Sequence, residues 1–487
     1  MSDSPLAWAI VVPLIAGAVS ALVTWAHSFG RTPQSLKRWL DIAALAILVL
    51  GLLAEGLLLL FSGGTATWLG VTLAITPPAR VALVAANVSL LCCIFFAWGG
   101  GDDGTESATR PWATLPPMAV SSLLAAVLLA RDRAITVVCL LAVAAVVAGA
   151  ALGRPRSVLL QGQDDEALSR VAKRMSGGLK HLSLAILGTG VLLAGILLLA
   201  RYSANLENRG LLQLALGLVA AGLAVRAGTM PFSAPASDMV SAAPGAAIIM
   251  LGATTPAVLA AGLLVLAPVE GSLVPAASAE WLGAVGALLA GLRALAAIRE
   301  GRGAQVYPTL LGAAILLQVA WALFGVLSGS RSGATGAVLL AANLSLAVPL
   351  VVITSRDYPG KSAPNKLLLR LGLAVGAISL LGLPPFGGFI GTLLIAQAAT
   401  NSSGLWLAML LSGSALAAAA WLAAGANVPQ PENTPPGTTA TVRPRLTTPI
   451  PLLVCILIAA QLALFLASGQ LSSILAAWAG IPWITAP

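Results

Sequence analysis

Long apolar segments follow one another along almost the whole chain, and they restrict its possible folds more than any other feature. Of its 487 residues, 58% are hydrophobic and only 9% are charged, whereas a soluble protein carries about 25% charged residues. A helix needs about 20 apolar residues to cross the hydrocarbon core of a bilayer. The sequence therefore predicts an all-α polytopic membrane protein.

Fourteen segments satisfy this length requirement, at about 6–26, 40–61, 81–98, 112–130, 134–152, 180–200, 210–230, 240–266, 278–298, 307–328, 334–354, 367–398, 404–425 and 448–469. Span twelve contains Leu383-Pro-Pro-Phe-Gly-Gly388, so we expect two half-helices there. The run from Leu471 to Ile484 is too short and interrupted for a fifteenth span, and we expect it to pack at the interface. The first run lacks a signal peptide's basic region and cleavage site, so we expect it to be retained.

The positions of the basic residues predict an orientation. Most of the 26 Lys and Arg residues lie in loops that follow odd-numbered spans. The positive-inside rule makes these loops cytoplasmic and places both termini on the outer side. A net charge of +9 could suggest a nucleic-acid partner. Its spread over short loops, instead of one face of a domain, argues against that function.

Two loops and the cysteines add detail. Gly153–Gly178 carries Asp164, Asp165 and Glu166 followed by basic residues, which fits either a short amphipathic surface helix or a solvated loop. Val428–Pro444 is rich in Pro, Thr and Asn and predicts a flexible linker. The four cysteines lie in apolar segments without metal-ligand spacing, which predicts reduced, buried thiols.

Span seven combines a charge with a helix break. Arg226 lies in an apolar run, Gly228 and Pro231 follow, and Asp238 comes twelve residues after the arginine. A charge at the bilayer centre costs about 2.5–3.5 kcal/mol on insertion scales, so it marks a functional site by default. A break frees backbone groups that must face protein or water. We therefore expect Arg226 and this break to form the working part.

The two interrupted spans suggest an internal repeat. The breaks at Arg226–Pro231 and Pro384–Gly388 lie five spans apart, and an odd number reverses the direction of the unit. We predict two inverted five-helix repeats, at 111–266 (spans four to eight) and 278–425 (spans nine to thirteen). Spans one to three (1–100) precede them, and a linker with span fourteen (426–487) follows. The predicted hinges are Gly228, Pro231, Pro384, Pro385, Gly387 and Gly388.

Three segments in the expected order resemble a known family. They are Ser176–Gly188, the stretch GLAVR…PF…D…AP between Gly222 and Pro244, and LGLPPFGGFIG at Leu381–Gly391. Together they resemble the antiporter-like membrane subunits of respiratory complex I, the NADH:quinone oxidoreductase, and most of all its N subunit. The resemblance covers spans four to thirteen.

This resemblance implies a subunit of the complex's membrane arm, in a bacterial inner membrane, that translocates protons. Its partners would be the other membrane-arm subunits. The chain would hold no cofactor, because NADH, FMN, iron–sulfur clusters and quinone would bind in partner subunits. Two alternatives remain: a subunit of a multisubunit cation/proton antiporter, and a non-pumping scaffold of another membrane-bound oxidoreductase, such as a hydrogenase.

The family's titratable residues are mostly replaced here. Its lysine in the first broken helix falls on Arg226, which stays charged and cannot release a proton as lysine can. The other expected positions, for a glutamate, two lysines and a histidine, carry Ala142, Thr254, Thr392 and Ser233. We therefore expect weak proton translocation or none, with Arg226 acting as a fixed charge.

Other polar residues keep two interpretations each. Arg226 itself could snorkel to the interface. Asp238 could cap span eight or pair with Arg226. Lys180 and His181, at the start of span six, could belong to an ion path or to the surface. Glu55, the acid in the middle of span two, could pair with a neighbouring subunit or remain neutral and hydrogen-bonded.

Overall fold

The computed structural model describes residues 5–29, 34–98, 110–152, 165–202, 209–229, 231–233, 238–240, 243, 245–266, 279–300, 306–357, 366–426 and 450–479. Fifteen helices make up most of this part of the chain. They are α1 Pro5–Phe29, α2 Gln34–Phe61, α3 Pro77–Trp98, α4 Arg110–Leu129, α5 Arg133–Leu152, α6 Asp165–Tyr202, α7 Arg209–Ala227, α8 Gly245–Leu266, α9 Trp281–Glu300, α10 Val306–Leu327, α11 Arg331–Asp357, α12 Lys366–Leu380, α13 Gly387–Ser402, α14 Gly404–Ala426 and α15 Ile450–Ala479.

The predicted all-α membrane fold is confirmed. Twelve helices of the described chain are long and apolar enough to cross a membrane, and two shorter apolar helices lie at Leu115–Leu129 and Leu367–Leu380. Each of the fourteen predicted spans corresponds to a helix, and span twelve is divided into α12 and α13 as expected. Length and hydropathy were enough to find these elements, because they are local properties of the sequence.

Helices α8, α10 and α11 form the centre of the bundle. The apolar windows of α10 and α11 are buried along their whole length, and α8 is almost as enclosed. Small residues allow close approach around this centre. A Cβ added to Gly291 of α9 would lie 2.4 Å from the carbonyl oxygen of Gly413 in α14, so only glycine fits there. The centre is therefore packed by protein, while α2, α14 and α15 expose broad apolar faces.

Two boundary predictions were wrong. The polar stretch before span six is neither a separate surface helix nor a loop in its described part, because Asp165–Tyr202 is one 38-residue helix. The last helix also continues past the predicted end at 469 to Ala479, so much of the 471–484 run extends α15. In both cases the polar or broken sequence still carries helix-forming residues that prolong a helix already nucleated. The predicted linker 428–444 lies outside the described residues.

A small antiparallel hairpin between α2 and α3 was not predicted. Its strands are β1 Thr65–Trp68 and β2 Val71–Ala74, joined by Leu69 and Gly70. Both joining residues have positive φ, at 50° and 80°, which is the two-residue turn that suits the twist of a hairpin. The hairpin also contacts the connection between α4 and α5, where the amide of Arg131 donates to the carbonyl of Thr72.

Candidate functional site

The two helix breaks begin with the same backbone motif. Gly228 closes α7, which ends at Ala227, and Gly382 closes α12, which ends at Leu380; their φ angles are 72° and 70°. At the first break, the amides of Gly228 and Thr229 donate to the carbonyls of Val225 and Ala224. At the second, those of Gly382 and Leu383 donate to Ser379 and Ile378. This is the Schellman pattern that closes a helix with a left-handed glycine.

The sequence after each glycine is also alike. Both breaks read G-x-x-P-F, at Gly228–Phe232 and at Gly382–Phe386. Pro231 lies in a turn, and Pro384 and Pro385 are exposed in the second connection. The predicted hinge residues therefore lie at real interruptions of the helices. When the caps are superimposed by position, Arg226 of the first break corresponds to Leu380 of the second.

Arg226 is buried inside the helical bundle, which favours the interpretation of an enclosed charge over that of a side chain that snorkels to the interface. It is 7% exposed, and its Nη2 donates to the carbonyl oxygen of Leu140 in α5 at 2.9 Å. Its Nε is buried without a hydrogen-bond partner. Among the described residues, no carboxylate lies within ion-pair distance of it. Leu140 is two residues from Ala142, near which the resemblance placed a glutamate, and the hydrogen-bond partner of Arg226 is a backbone carbonyl.

Glycines bring α6 against α7 behind this arginine. A Cβ on Gly188 would lie 2.8 Å from the backbone nitrogen of Arg226, and a Cβ on Gly222 would lie 2.5 Å from that of Leu192. Such small-residue contacts let membrane helices pack backbone to backbone. The main chain of Arg226 is thus fixed by α6, while its side chain reaches α5.

Arg226 also lines a pocket. Its lining includes Arg226, His181 of α6, Phe232 and the neighbouring Thr254 and Thr255 of α8. Both threonine hydroxyls donate to the carbonyl of Leu251 in their own helix. Thr254 stands where the resemblance placed a lysine. The pocket therefore contains one fixed cation and one imidazole.

Asp238 forms an ion pair with Lys180, a partner that the sequence analysis did not name. The Lys180 Nζ to Asp238 Oδ2 distance is 2.7 Å, and the side chains are 52% and 37% exposed. Helix α8 begins at Gly245, seven residues after Asp238, which removes the role of a cap. The structure brings the four predicted site residues to one region as two pairs: Arg226 with His181, and Lys180 with Asp238.

The second break is built from neutral side chains that the sequence analysis missed. Gln318 of α10, Asn343 of α11, Ser379 of α12 and Gln461 of α15 are all 2% exposed or less; we call them the amide cluster. Gln318 Nε2 donates to the carbonyl of Leu380 at 2.8 Å, and Asn343 Nδ2 donates to that of Ser379 at 3.1 Å. The last carbonyls of α12 are thus satisfied by amides.

The hydroxyl of Ser379 lies at the centre of the amide cluster. The hydroxyl of Ser379 lies 2.6 Å from Asn343 Oδ1 and 2.8 Å from Gln461 Oε1. A Cβ on Gly388 would lie 2.2 Å from the Ser379 carbonyl oxygen, so the start of α13 sits directly against the cluster. Thr392, at another expected lysine position, donates to the carbonyl of Phe389 in its own helix. Three polar residues inside apolar spans ten, eleven and fourteen were the available signal for this cluster.

The remaining predicted features are quickly placed. Cys92 and Cys93 are buried, Cys139 is half-buried, and Cys455 is exposed, contrary to the expectation of buried thiols; all four are free. Among the described residues, no group of three or more His, Cys, Asp or Glu side chains could hold a metal ion.

Sequence comparison finds similarity to one kind of protein. No family model matches the chain. NADH-quinone oxidoreductase subunit N of Coxiella burnetii is 25% identical over 268 residues, covering 49% of this chain and 54% of the relative. The subunit N of Azorhizobium caulinodans is 29% identical over 259 residues, covering 48% and 53%. The chain thus matches these curated relatives over about half of their length.

Structural comparison covers nearly the whole chain. A chain of the Mrp complex from Dietzia sp. DQ12-45-1b matches with a TM-score of 0.73 at 16% identity, covering 100% of this chain and 98% of that one. A chain of respiratory complex I from Thermus thermophilus gives 0.67 at 22%, covering 95% and 98%. One from the archaeal membrane-bound sulfane sulfur reductase gives 0.73 at 18%, covering 98% and 97%. The chain therefore has the fold that these membrane complexes share, and its sequence is similar to that of complex I subunit N.

Proposed function

We propose that this chain is an antiporter-like membrane-arm subunit of a complex I type NADH:quinone oxidoreductase, and that it translocates protons weakly or not at all. Its similarity to relatives named NADH-quinone oxidoreductase subunit N supports the assignment to this kind of assembly. The observation that carries the weak-translocation part is the amide cluster. The second break is filled by four neutral side chains that neither take up nor release a proton near neutral pH.

The first break supports the same conclusion by a different route. A guanidinium remains protonated in proteins, so Arg226 supplies a constant positive potential instead of a mobile proton. His181, which lines the same pocket, is the other titratable side chain of the pocket lining. One imidazole beside a fixed cation is a poor relay, since its protonated form would be repelled by the arginine.

The rest of the proposal concerns the setting of the chain. We place it in a bacterial inner membrane with both termini on the outer side, as the distribution of basic residues indicates. The segments 111–266 and 278–425 would be inverted repeats, and the shared G-x-x-P-F caps support this pairing. The chain would work beside other membrane-arm subunits, and NADH, FMN, iron–sulfur clusters and quinone would bind in partner subunits.

The test begins with the proteins that co-purify with the chain in mild detergent. NADH- and quinone-binding subunits should be among them, and the intact assembly should reduce quinone. In that assembly, Arg226→Ala and the charge-conserving Arg226→Lys are compared for quinone reduction and for proton uptake into vesicles. We expect both variants to keep the ratio of protons pumped to quinone reduced. Loss of pumping in Arg226→Ala with quinone reduction intact would refute the weak-translocation proposal.

A second candidate is a subunit of a multisubunit cation/proton antiporter. The match to the Mrp complex chain over the whole length favours it. Co-purified partners without NADH- or quinone-binding subunits, together with cation-driven proton movement in vesicles, would identify this function. Partners with redox metal centres of another kind would instead identify a scaffold in a different membrane oxidoreductase, which the likeness to the sulfane sulfur reductase chain favours.

A further inference from the structure

A buried acid lies in the N-terminal helices, apart from both breaks. Glu55 of α2 is 0% exposed and accepts a short hydrogen bond from the Ser121 hydroxyl of α4. That hydroxyl also lies 3.0 Å from Oδ1 of Asn87 in α3. Leu53 and Leu57, on the same helix, are more than half exposed. Glu55 therefore points into the bundle, which removes the predicted pairing with a neighbouring subunit.

No cation compensates this carboxyl among the described side chains. Helix α2 packs against α1, α3 and α4. The titratable groups on these four helices, besides Glu55, are His27, Lys37, Arg38, Asp41, Arg80, Cys92, Cys93 and Arg110. The Nη2 atom of Arg80 donates to the carbonyl of Ser62, just after α2, at 2.8 Å. Within the described part of the chain, no Lys, Arg or His lies within ion-pair distance of Glu55.

An ionised carboxylate in such surroundings is very unfavourable. An unpaired charge loses its hydration in an apolar medium, so a buried carboxyl without a cation favours its neutral form. Two polar atoms of the cluster are buried without partners: Oε1 of Glu55 and Nδ2 of Asn87. The amide nitrogen is a donor beside the acid, so it could hold a carboxylate oxygen after a proton leaves. The cluster thus contains a carboxyl group that takes up the proton, Glu55, and an amide N–H that donates to the carboxylate once the proton has left, that of Asn87.

We propose that Glu55, Ser121 and Asn87 form a proton-binding site in the N-terminal helices, distinct from the Arg226 pocket and the amide cluster. Its ligand is a single proton, and its reaction is the reversible ionisation of one carboxyl to carboxylate and H⁺. In the resting protein at neutral pH the site is occupied. The site goes beyond the proposed function, because it does not depend on which assembly contains the chain.

Infrared difference spectroscopy tests this site on the full chain in its native assembly. We compare the wild-type protein with Glu55→Gln, an amide that copies a neutral acid, and with Asp41→Asn as a control acid on the same helix. At neutral pH, Glu55→Gln should remove a protonated-carboxyl C=O band, whereas Asp41→Asn should leave that band in place. Ser121→Ala should keep the protonated band and shift its frequency, because one hydrogen bond to the carboxyl is lost.

Two results would overturn the proposal. In the first, Glu55→Gln removes only carboxylate absorption at neutral pH, which would mean that the group is ionised. In the second, Na⁺ added at constant pH converts the protonated band to carboxylate in the wild type but not in Glu55→Gln. That outcome would show that the site takes a metal cation.

Discussion

The two helix breaks share one backbone motif and differ in the side chains that surround it. Each helix closes with a left-handed glycine and continues into G-x-x-P-F. The first break then carries a buried guanidinium bonded to a carbonyl of α5, and the second carries four neutral side chains around its last carbonyls. The same backbone motif thus occurs with a buried charge in one break and with neutral side chains in the other.

This difference separates scaffold from function. An interrupted membrane helix needs hydrogen-bond partners for its freed groups whatever the protein does. The amide cluster meets that need completely, while the first break keeps an unpartnered Nε and a pocket. One break is therefore a structural joint, and the other retains a charge that stability does not explain.

The closing glycines give the largest expected contrast. Gly382→Ala should lower the free energy of unfolding by about 3 kcal/mol, since an alanine at positive φ costs about 1–2 kcal/mol and overpacking costs about 1–3 more. The added Cβ would lie 2.6 Å from Cγ2 of Thr392, whereas a Cβ on Gly228 meets nothing within 4 Å. Gly228→Ala should therefore cost only about 1–2 kcal/mol. Denaturant titration of both variants measures the difference, and equal losses would contradict the stated packing.

The amide cluster should respond to loss of its centre. Asn343→Leu removes the donor to the Ser379 carbonyl and an acceptor for its hydroxyl. We expect a loss of about 2 kcal/mol in unfolding free energy, the usual penalty for buried groups left unsatisfied. Ser345→Ala on the same helix is the control. It removes one long bond, 3.4 Å, to the carbonyl of Gly252, which Pro256 leaves free, and should cost less than about 1 kcal/mol.

A pH dependence of the stability should arise in the second predicted repeat, 278–425. Glu280, just before α9, accepts a hydrogen bond from the Ser402 hydroxyl, and burial raises the pKa of its carboxyl above the usual range. The folded state therefore keeps the proton at pH values where the unfolded chain has lost it. The contribution of the Glu280 carboxyl to the free energy of unfolding therefore falls as the pH rises from about 4.3, the ordinary glutamate pKa, through the raised pKa of the folded state. Thermal unfolding of Glu280→Gln should lack that part of the pH dependence; an unchanged profile would exclude Glu280 as its source.

The ion pair beside the first break should matter least. Lys180 and Asp238 are both partly exposed, so Lys180→Met should change the free energy of unfolding by about 0.5 kcal/mol or less. The effect should disappear in 1 M salt, where the screening length is about 3 Å. Lys173→Met, an exposed lysine on the same helix, serves as the control. A loss several times larger would mean that the pair orders the segment between α7 and α8.

The sequence predicted what depends on neighbouring residues. Apolar length identified the spans, and Gly228, Pro231 and the Pro384-Pro385 pair marked both breaks, because these residues act on their own backbone. Arg226 was selected correctly as a buried charge, but its partner was not predicted. A carbonyl such as that of Leu140 has no sequence signature.

The amide cluster escaped prediction for a related reason. Gln318 and Gln461 reach Ser379 across 61 and 82 residues of chain, so their meeting point depends on the tertiary fold. Their signal was present as polar residues inside apolar spans, which have to be satisfied somewhere. Glu55 carried the same signal. Burial alone could not separate its two interpretations until the position of Ser121 was known.

The length of α6 has a structural consequence. At 1.5 Å per residue its 38 residues extend for about 57 Å, nearly twice the thickness of the hydrocarbon layer of about 30 Å. Its polar first turns therefore extend beyond the apolar part of the helix, Ala172–Arg201, and at Gly188 the same helix packs against the main chain of Arg226. The protruding turns and the contact with the arginine thus belong to one continuous helix.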